Sequence, residues 1–475
     1  MLKICDDLFV LLNKQEIKYC HWKSNSHLDK ALSGKTDLDL LVERDNASEF
    51  KDGLRKLDFK EILSPADKRF PGLYDYLGFD QESGRLAHLH VHYNLVLGQK
   101  YIKNHHLPIE KYFLANTRLK YNVYIPSAEI ELALLVIRAH MKVDSLSLIK
   151  HFIRNLQGKI YTPFPSDIEN EFAELIAESE QAVLDKVIKD IGLPIDPGLF
   201  SAFIDKFTDN KLSVFNVISY RTAIITALKG YRRETGLKTV LNYYKHALKE
   251  NRLLRCVLSS KKKTMPAGGI SISLVGADGS GKSSHVKDLT KWLSWKLSVK
   301  NHYYGIPKSN SLMLYSYLIR FVRKLHLSSL ALWFQNVLWL YLSWSRYKLS
   351  KTIHSEKVGG SVVISDRFPL ESFYSMSEPM DGPRIKYNGA GVNKYMADLE
   401  RENYNRIAKP DRIYVLKVAL EELRNRKNDL DYETHKKKAE AVNSIVKTDT
   451  VEIIDANLPY DEIQLILKAK IWASL

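Results

Sequence analysis

The 475-residue chain holds only three cysteines, Cys5, Cys20 and Cys256. They are too few and too scattered for a disulfide framework or a thiolate zinc site. The opening residues have no uninterrupted apolar run, because Asp6 and Asp7 break it. A cleavable signal peptide is therefore not expected, and the setting inferred is a reducing cytoplasm. Acid is also scarce. Against 71 Lys and Arg stand 55 Asp and Glu, a net charge of +16. That excess favours polyanionic partners such as nucleotides, nucleic acid or an anionic membrane surface, and a merely solvated basic surface accounts for it equally well. No recognition helix and no aromatic RNA platform stands out, so nucleic acid is not the expected partner. No internal repeat is visible. The longest apolar stretch, 327–344, would nearly span a bilayer by length. It carries Ser328, Ser329, Gln335, Asn336 and Ser343. Gln335 and Asn336 at its centre make it a core or dimer helix ahead of an interfacial membrane helix. A homodimer and, less favoured, peripheral membrane contact follow as partner expectations.

What is present begins with Gly276-Ala277-Asp278-Gly279-Ser280-Gly281-Lys282-Ser283. This fits G-x-x-x-x-G-K-[ST], the phosphate-cradling P-loop. Residues 270–275 read as a strand feeding the loop. Residues 284–297, opening with Ser284, read as the helix leaving it, with Val286, Leu289, Leu293 and Leu297 on one face. Glycines let backbone N–H groups converge on an anion, and the helix N-terminus adds positive potential. Lys282 is expected on the β- and γ-phosphates of ATP, and the Ser283 hydroxyl on Mg²⁺.

In the first half, Asp37 and Asp39 sit two apart in a strand pattern running into Leu40-Leu41-Val42. Period two puts both carboxylates on one face. Like charges so placed repel unless a cation lies between them, which makes the pair a candidate Mg²⁺ site. The pair follows a turn containing Lys23 and Ser24. On these residues the first 160 positions resemble the nucleotidyltransferase fold of the polymerase-β type, in the branch with a Lys-Gly-like turn before Asp-x-Asp. Ser24 stands where that branch often has Gly. The family strand that usually supplies a third carboxylate is matched by 89–95, with His90 in the carboxylate's place. His90 could act as base or metal ligand, or mark a domain that binds nucleotide without turning it over. His90 and His92 together read equally well as one half-exposed face of a strand. A helix from Pro126-Ser127-Ala128-Glu129 onward, with His140 near its end, continues the resemblance; His140 is read as structural.

Residues 165–255 read as helices without a chemical motif, and 259–269 has linker composition. After the P-loop come a second strand near 299–304, the aromatic helical stretch 311–347, and the buried strand 362–364 with Asp366-Arg367 at its carboxyl end. Ligands of open α/β sheets bind at that end. There an Asp can organise Mg²⁺ and an Arg can clamp phosphate through two N–H groups. A strand follows Pro410-Asp411, then a helix carrying Arg424 and Arg426, then a last strand at 451–455. In this order the motifs of 268–475 resemble the thymidylate kinase family of P-loop kinases. The resemblance implies that Asp278 holds the acceptor's sugar hydroxyl, that Arg367 holds its phosphate, and that Arg424 or Arg426 moves over ATP as a lid arginine. Glu371 and Met376 stand where the family places small polar residues against the base. The stretch 380–384 is also unlike it, with Arg384 read either as a second phosphate clamp or as an exposed turn residue.

The expected fold class is α/β. A P-loop parallel sheet flanked by helices should occupy 270–475, an α+β nucleotidyltransferase-like domain 1–160, a helical spacer 161–258 and a linker 259–269. The expected function is ATP-dependent, Mg²⁺-assisted phosphoryl transfer to a nucleoside monophosphate or related small phosphorylated acceptor, fused to a nucleotidyl-transfer domain. By resemblance alone such a fusion belongs with surface-polysaccharide synthesis. The competing expectation is a regulatory nucleotide-binding protein with two degenerate sites.

Overall fold

The structure is a computed structural model. It describes residues 1–99, 102–143, 145–157, 163–234, 262–307, 309–374, 380–385, 387, 391–426 and 432–475. The chain divides into two compact units, the first Met1–Glu61 with Ala66–Lys261, the second Ile62–Pro65 with Lys262–Leu475.

The first unit is built on β1 (Tyr19–His21), β2 (Leu38–Val42), β3 (Lys60–Ile62), β4 (Leu73–Phe79) and β5 (Leu86–His92), in the order β1-β2-β5-β4-β3. β2 and β5 run parallel, while β1 pairs with β2 and β4 with β5 antiparallel. Strict alternation on β5 decides what each face does. Leu89 and Val91 join Leu38 and Leu40 of β2 in a core with Leu8 and Phe9 of the helix Lys3–Lys14 and Phe50 and Leu54 of the helix Ala47–Lys56. The intervening residues, His88, His90 and His92, take the other face. Two hairpins follow, β6 (Leu95–Gln99) with β7 (Ile102–Leu107) and β8 (Thr117–Lys120) with β9 (Val123–Pro126).

The helix Ala128–Lys142 is buried on nearly every side. A helix apolar all round must be covered all round. The helices Ser166–Glu178, Gln181–Asp190, Pro197–Thr208 and Val214–Ala227 supply the cover, placing Phe172, Leu184, Phe203 and Ile224 in one core with Ile130, Leu134 and Ile137. The stretch expected as a separate spacer is therefore, in its described part, the second half of the first unit. Residues 235–258 of that spacer and 259–261 of the expected linker lie outside the described residues. The rest of the linker belongs to the second unit.

In the second unit β10 (Ser271–Gly276), β11 (Val299–Tyr303), β12 (Val362–Asp366), β13 (Arg412–Lys417) and β14 (Val451–Asp455) form a parallel sheet, order β11-β12-β10-β13-β14. This is the expected parallel sheet with flanking helices. β10 and β12 are buried along their whole length, as strands covered by helices on both faces must be. The chain leaves β10 for the far edge at β11 before returning through β12, so the sheet opens a crevice beyond the carboxyl ends of β10 and β12.

The aromatic stretch 311–347 falls on two helices, Asn310–Lys324 and Ser328–Val358, the second carrying the apolar run. Several of the second helix's buried residues are polar. Asn336, Ser343 and Arg346 face inward, and Asn336 donates to Asn393 Oδ1 at 3.1 Å, whereas Trp333, Tyr341 and Trp344 are exposed. Among the described residues no helix is long and apolar enough to cross a membrane.

Candidate functional site

β10 ends at Gly276, where a Cβ would come within 2.6 Å of Ser280 Oγ and 2.9 Å of the Leu416 carbonyl oxygen. Only glycine lets the loop turn this tightly. Gly279 and Gly281 have φ of +90° and +84°, which brings successive N–H groups to one side ahead of the helix Lys282–Leu293. Ser280 is buried beneath the loop, and Ser283 and Ser284 are exposed on the first helical turn. Lys282 is buried and folds back over the loop, donating from Nζ to the Ala277 carbonyl at 2.6 Å and to Ser280 Oγ at 3.4 Å. Burial, reinforced by the charge of Arg367, lowers its pKa to about 8. Ser283 Oγ donates to Asp366 Oδ2 at 2.5 Å, and Asp366 Oδ1 is buried with no hydrogen-bond partner among the described residues.

Arg367 takes φ +74°, a left-handed conformation that costs a non-glycine residue about 1 kcal/mol or more. The turn aims its guanidinium across the crevice. Nη2 pairs with Asp278 Oδ1 at 2.9 Å and Nη1 with Asp381 Oδ2 at 3.5 Å. Asp278 Oδ2 accepts from Lys438 Nζ at 2.6 Å. Burial alone would raise the Asp278 pKa. The Lys438 hydrogen bond and the charges of Lys438, Arg367 and Lys282 outweigh it and hold the carboxyl well below the usual range. Asp381 is in turn held by Arg346, whose Nη2 lies 3.1 Å from Oδ1 and whose Nε donates to the Tyr304 carbonyl at 2.7 Å. A continuous run of alternating charge, Lys438–Asp278–Arg367–Asp381–Arg346, thus lines the crevice.

Sequence reasoning missed three of these five. Lys438 was hidden in the run Lys436-Lys437-Lys438, and helical periodicity alone does not say which of three lysines faces the loop. Asp381 lies in the stretch 380–384, where Arg384 alone drew attention as a phosphate clamp. Arg346 went unremarked inside the aromatic helical stretch 311–347. The other expected residues lie apart from this run. Arg384 stacks on the Trp339 ring at 4.7 Å and donates from Nη2 to the Met380 carbonyl at 3.2 Å. Arg426 donates to the Ala456 carbonyl at 3.1 Å and pairs with Glu422 of its own helix at 3.5 Å. Glu371 is exposed and pairs with Lys409 at 2.9 Å. The Arg424 side chain and Met376 lie outside the described residues.

In the first unit the turn after β1 carries Lys23 and Ser24. Ser24 has φ +58°, the left-handed conformation that glycine takes freely. The Ser24 and Asn25 N–H groups donate to Glu171 and Glu131, each at 3.1 Å. Glu171 also lies 3.4 Å from Arg138, and all three charged residues are buried. Lys23 Nζ lies 2.7 Å from Asp39 Oδ1. Register places Asp39 beside His90 on one neighbouring strand and Asp75 of β4 beside His90 on the other. His90 Nδ1 lies 3.1 Å from Asp39 and Nε2 3.9 Å from Asp75; His88 lies 3.0 Å from Asp37 and 3.2 Å from Asp75. The two carboxylates expected to share a cation thus turn to different imidazoles. Asp75 and His88 are additions that only strand register could reveal; His92, paired with His90 in the sequence, is buried rather than half-exposed.

No protein-family model matches the chain. It is similar to the uncharacterized ATP-binding protein YghR in two strains of Escherichia coli, each at 28% identity over 214 residues, 40% of this chain and 82% of the relative. Among solved structures it is similar to a thymidylate kinase from Candida albicans at 21% identity and a TM-score of 0.29, over 44% of this chain and 92% of that one.

Proposed function

We propose that the second unit transfers the γ-phosphoryl group of ATP to a small acceptor that already carries a phosphate, of the nucleoside-monophosphate type. The observation that carries this reading is the opposition of two cationic systems across one crevice. Lys282 lies on the glycine loop, and Arg367 lies at the carboxyl end of β12, with Asp278 between them. The ATP-binding designation of the Escherichia coli relatives supports the nucleotide side of the reading. Phosphoryl transfer needs little covalent chemistry from the protein. It needs position and charge at the transferring oxygens. On this reading Lys282 leaves the Ala277 carbonyl for the β- and γ-phosphates. Arg367 exchanges a carboxylate for the acceptor's phosphate and keeps its planar fork. Asp278, held as a carboxylate by its three cationic neighbours, accepts from an acceptor hydroxyl. The Ser283 hydroxyl and the unpartnered Asp366 Oδ1 suit Mg²⁺ or its waters, and Mg²⁺ when bound neutralises charge on the β- and γ-oxygens.

The test is incubation of the purified chain with γ-labelled ATP, Mg²⁺ and a panel of nucleoside monophosphates and sugar phosphates. Label should move to a phosphorylated acceptor. ATP binding without transfer to any acceptor would favour the regulatory reading.

Nucleotidyl transfer by the first unit is the second reading. The left-handed Ser24, adopting the backbone of a glycine, favours it. Asp37 and Asp39 would then hold Mg²⁺ and a triphosphate, with His90 as base. The triphosphate would have to displace Glu131 and Glu171 from the turn amides. Calorimetric titration of the full chain with each common triphosphate, in wild type and in an Asp37→Asn, Asp39→Asn double variant carrying Lys282→Ala to silence the P-loop, separates the cases. Heat that does not depend on the two aspartates ends this reading.

A further inference from the structure

His92 is fully buried, and neither of its ring nitrogens has a hydrogen-bond partner among the described residues. A buried imidazole normally satisfies both nitrogens, and leaving a polar atom unmet costs about 1–3 kcal/mol. The ring is not misplaced. It is packed edge-on against Trp22 at 5.0 Å and against His90 at 4.6 Å, and it points Nε2 toward Asp39 Oδ1 at 3.7 Å. His90 Nδ1 approaches the same oxygen at 3.1 Å. The Asp39, His90 and His92 donor atoms all lie within 4.8 Å of one another. Ligands about 2.1 Å from a tetrahedral ion stand roughly 3.4 Å apart, a spacing that the two measured distances bracket.

We propose that Asp39, His90 and His92 form a site for a divalent first-row transition metal, distinct from the Mg²⁺ site of the P-loop. Two imidazoles and one carboxylate are the wrong set for Mg²⁺, which takes oxygen, and the right one for Zn²⁺, Fe²⁺ or Co²⁺. Three protein ligands leave a coordination position open for water or a substrate oxygen. Asp75 stands where outer support for His90 would come from, its carboxylate 3.9 Å from His90 Nε2 and beyond hydrogen-bond reach until the ring shifts onto a metal. Lys23 is the built-in competitor. Its ammonium lies 2.7 Å from the same Asp39 oxygen and must withdraw when a metal enters. Metal occupancy and the position of the turn at Lys23-Ser24 are thereby coupled.

The probe is Co²⁺ added to the metal-stripped, untagged full chain, read by its visible d–d absorption and by metal analysis after gel filtration. The expected result is one Co²⁺ per chain, bleached by stoichiometric Zn²⁺ and unaffected by millimolar Mg²⁺. His92→Ala and His90→Ala should each weaken binding roughly a hundredfold or more. His90 is only partly buried, so its variant keeps the test valid if His92→Ala fails to fold. Lys23→Met should tighten Co²⁺ binding. Absence of the absorption band in wild type, or equal binding in wild type and His90→Ala, overturns the proposal. So does weaker binding in a folded Lys23→Met, which would make Lys23 a partner of the site rather than its competitor. None of these readouts involves nucleotide, so they stand or fall apart from either catalytic reading.

Discussion

The two sites solve the burial of polar groups in opposite ways. In the second unit charges neutralise one another in a line, Lys438–Asp278–Arg367–Asp381–Arg346, drawn from a loop, a strand end and helices. In the first unit three imidazoles on β5 stand beside carboxylates carried on or next to the neighbouring strands β2 and β4, and strand register fixes their spacing. An ion-pair line can open when a charged ligand replaces one of its members. A strand-borne array keeps its geometry whether or not anything binds. The comparison predicts that the second unit answers to phosphate ligands and salt, and the first to metal and pH.

The largest effect should come from Lys282→Ala. Among the described residues Lys282 Nζ hydrogen-bonds to the loop's own Ala277 carbonyl and to Ser280 and no other group, so the fold loses little. The transition state loses a charge contact, and removing one such group costs about 3–4 kcal/mol, a factor of roughly a hundred to a thousand in kcat. Full turnover at an unchanged melting temperature would remove the P-loop from the mechanism.

Next comes the pH response of the first unit. His140 is buried among Phe164, Phe203 and Tyr220, with Nδ1 donating to the Val136 carbonyl at 2.8 Å. Burial lowers its pKa from 6.5 to about 4. Between those values the unfolded chain binds the proton and the folded chain does not, so stability falls as pH drops from about 6.5 to 4. The loss approaches about 3 kcal/mol at the acid end, at 1.36 kcal/mol per pKa unit. His140→Phe keeps the aromatic packing and removes the titration. Its unfolding free energy should depend less steeply on pH over that window than wild type's, whatever its absolute stability. Parallel pH profiles for the two proteins would show that His140 does not titrate as its surroundings imply.

Much of the second site was legible because its motif is local. Strand, glycine loop, Lys282 and Ser283 lie within a dozen residues, and the Asp366-Arg367 pair ends a recognisable buried strand. What stayed hidden there depends on tertiary geometry, namely which lysine of 436–438 faces the loop and which aspartate anchors Arg367. The first unit is less legible because pairing order is not written locally. Asp39 and His90 are 51 positions apart, and Asp75 reaches them only because β4 pairs antiparallel with β5. The helical segment misread as a spacer shows the same limit. Its helices were visible, but the all-round apolar surface of the helix Ala128–Lys142, which requires them as cover, was read as one helix in a family pattern.

Arg367→Lys sharpens the ion-pair half of the comparison. Lysine keeps the charge but cannot span Asp278 on one side and Asp381 on the other, nor grip phosphate through two parallel N–H groups. Acceptor KM should rise roughly tenfold to a hundredfold, the cost of losing about one charge-assisted hydrogen bond, while ATP affinity holds. Loss of ATP affinity with acceptor KM unchanged would move Arg367 to the other side of the crevice.

The smallest effect should follow Lys438→Met. Lys438 and Asp278 are partly exposed, with side chains 26% and 19% accessible, so solvent and salt screen their pairing. The geometry gives Lys438 one clear task. It occupies Asp278 Oδ2 while Arg367 occupies Oδ1, so that the carboxylate is aligned before an acceptor arrives. Removing Lys438 frees Asp278 to rotate without deleting any phosphate contact. Acceptor KM should therefore rise only about threefold to tenfold, as expected for about 1 kcal/mol of lost alignment at a screened site. The difference from wild type should shrink as salt is raised. A fall in kcat at constant acceptor KM would instead mean that Lys438 leaves Asp278 during turnover and closes over the transferring phosphates, doing on the helix Tyr432–Asn443 what the sequence led us to expect of Arg424 or Arg426.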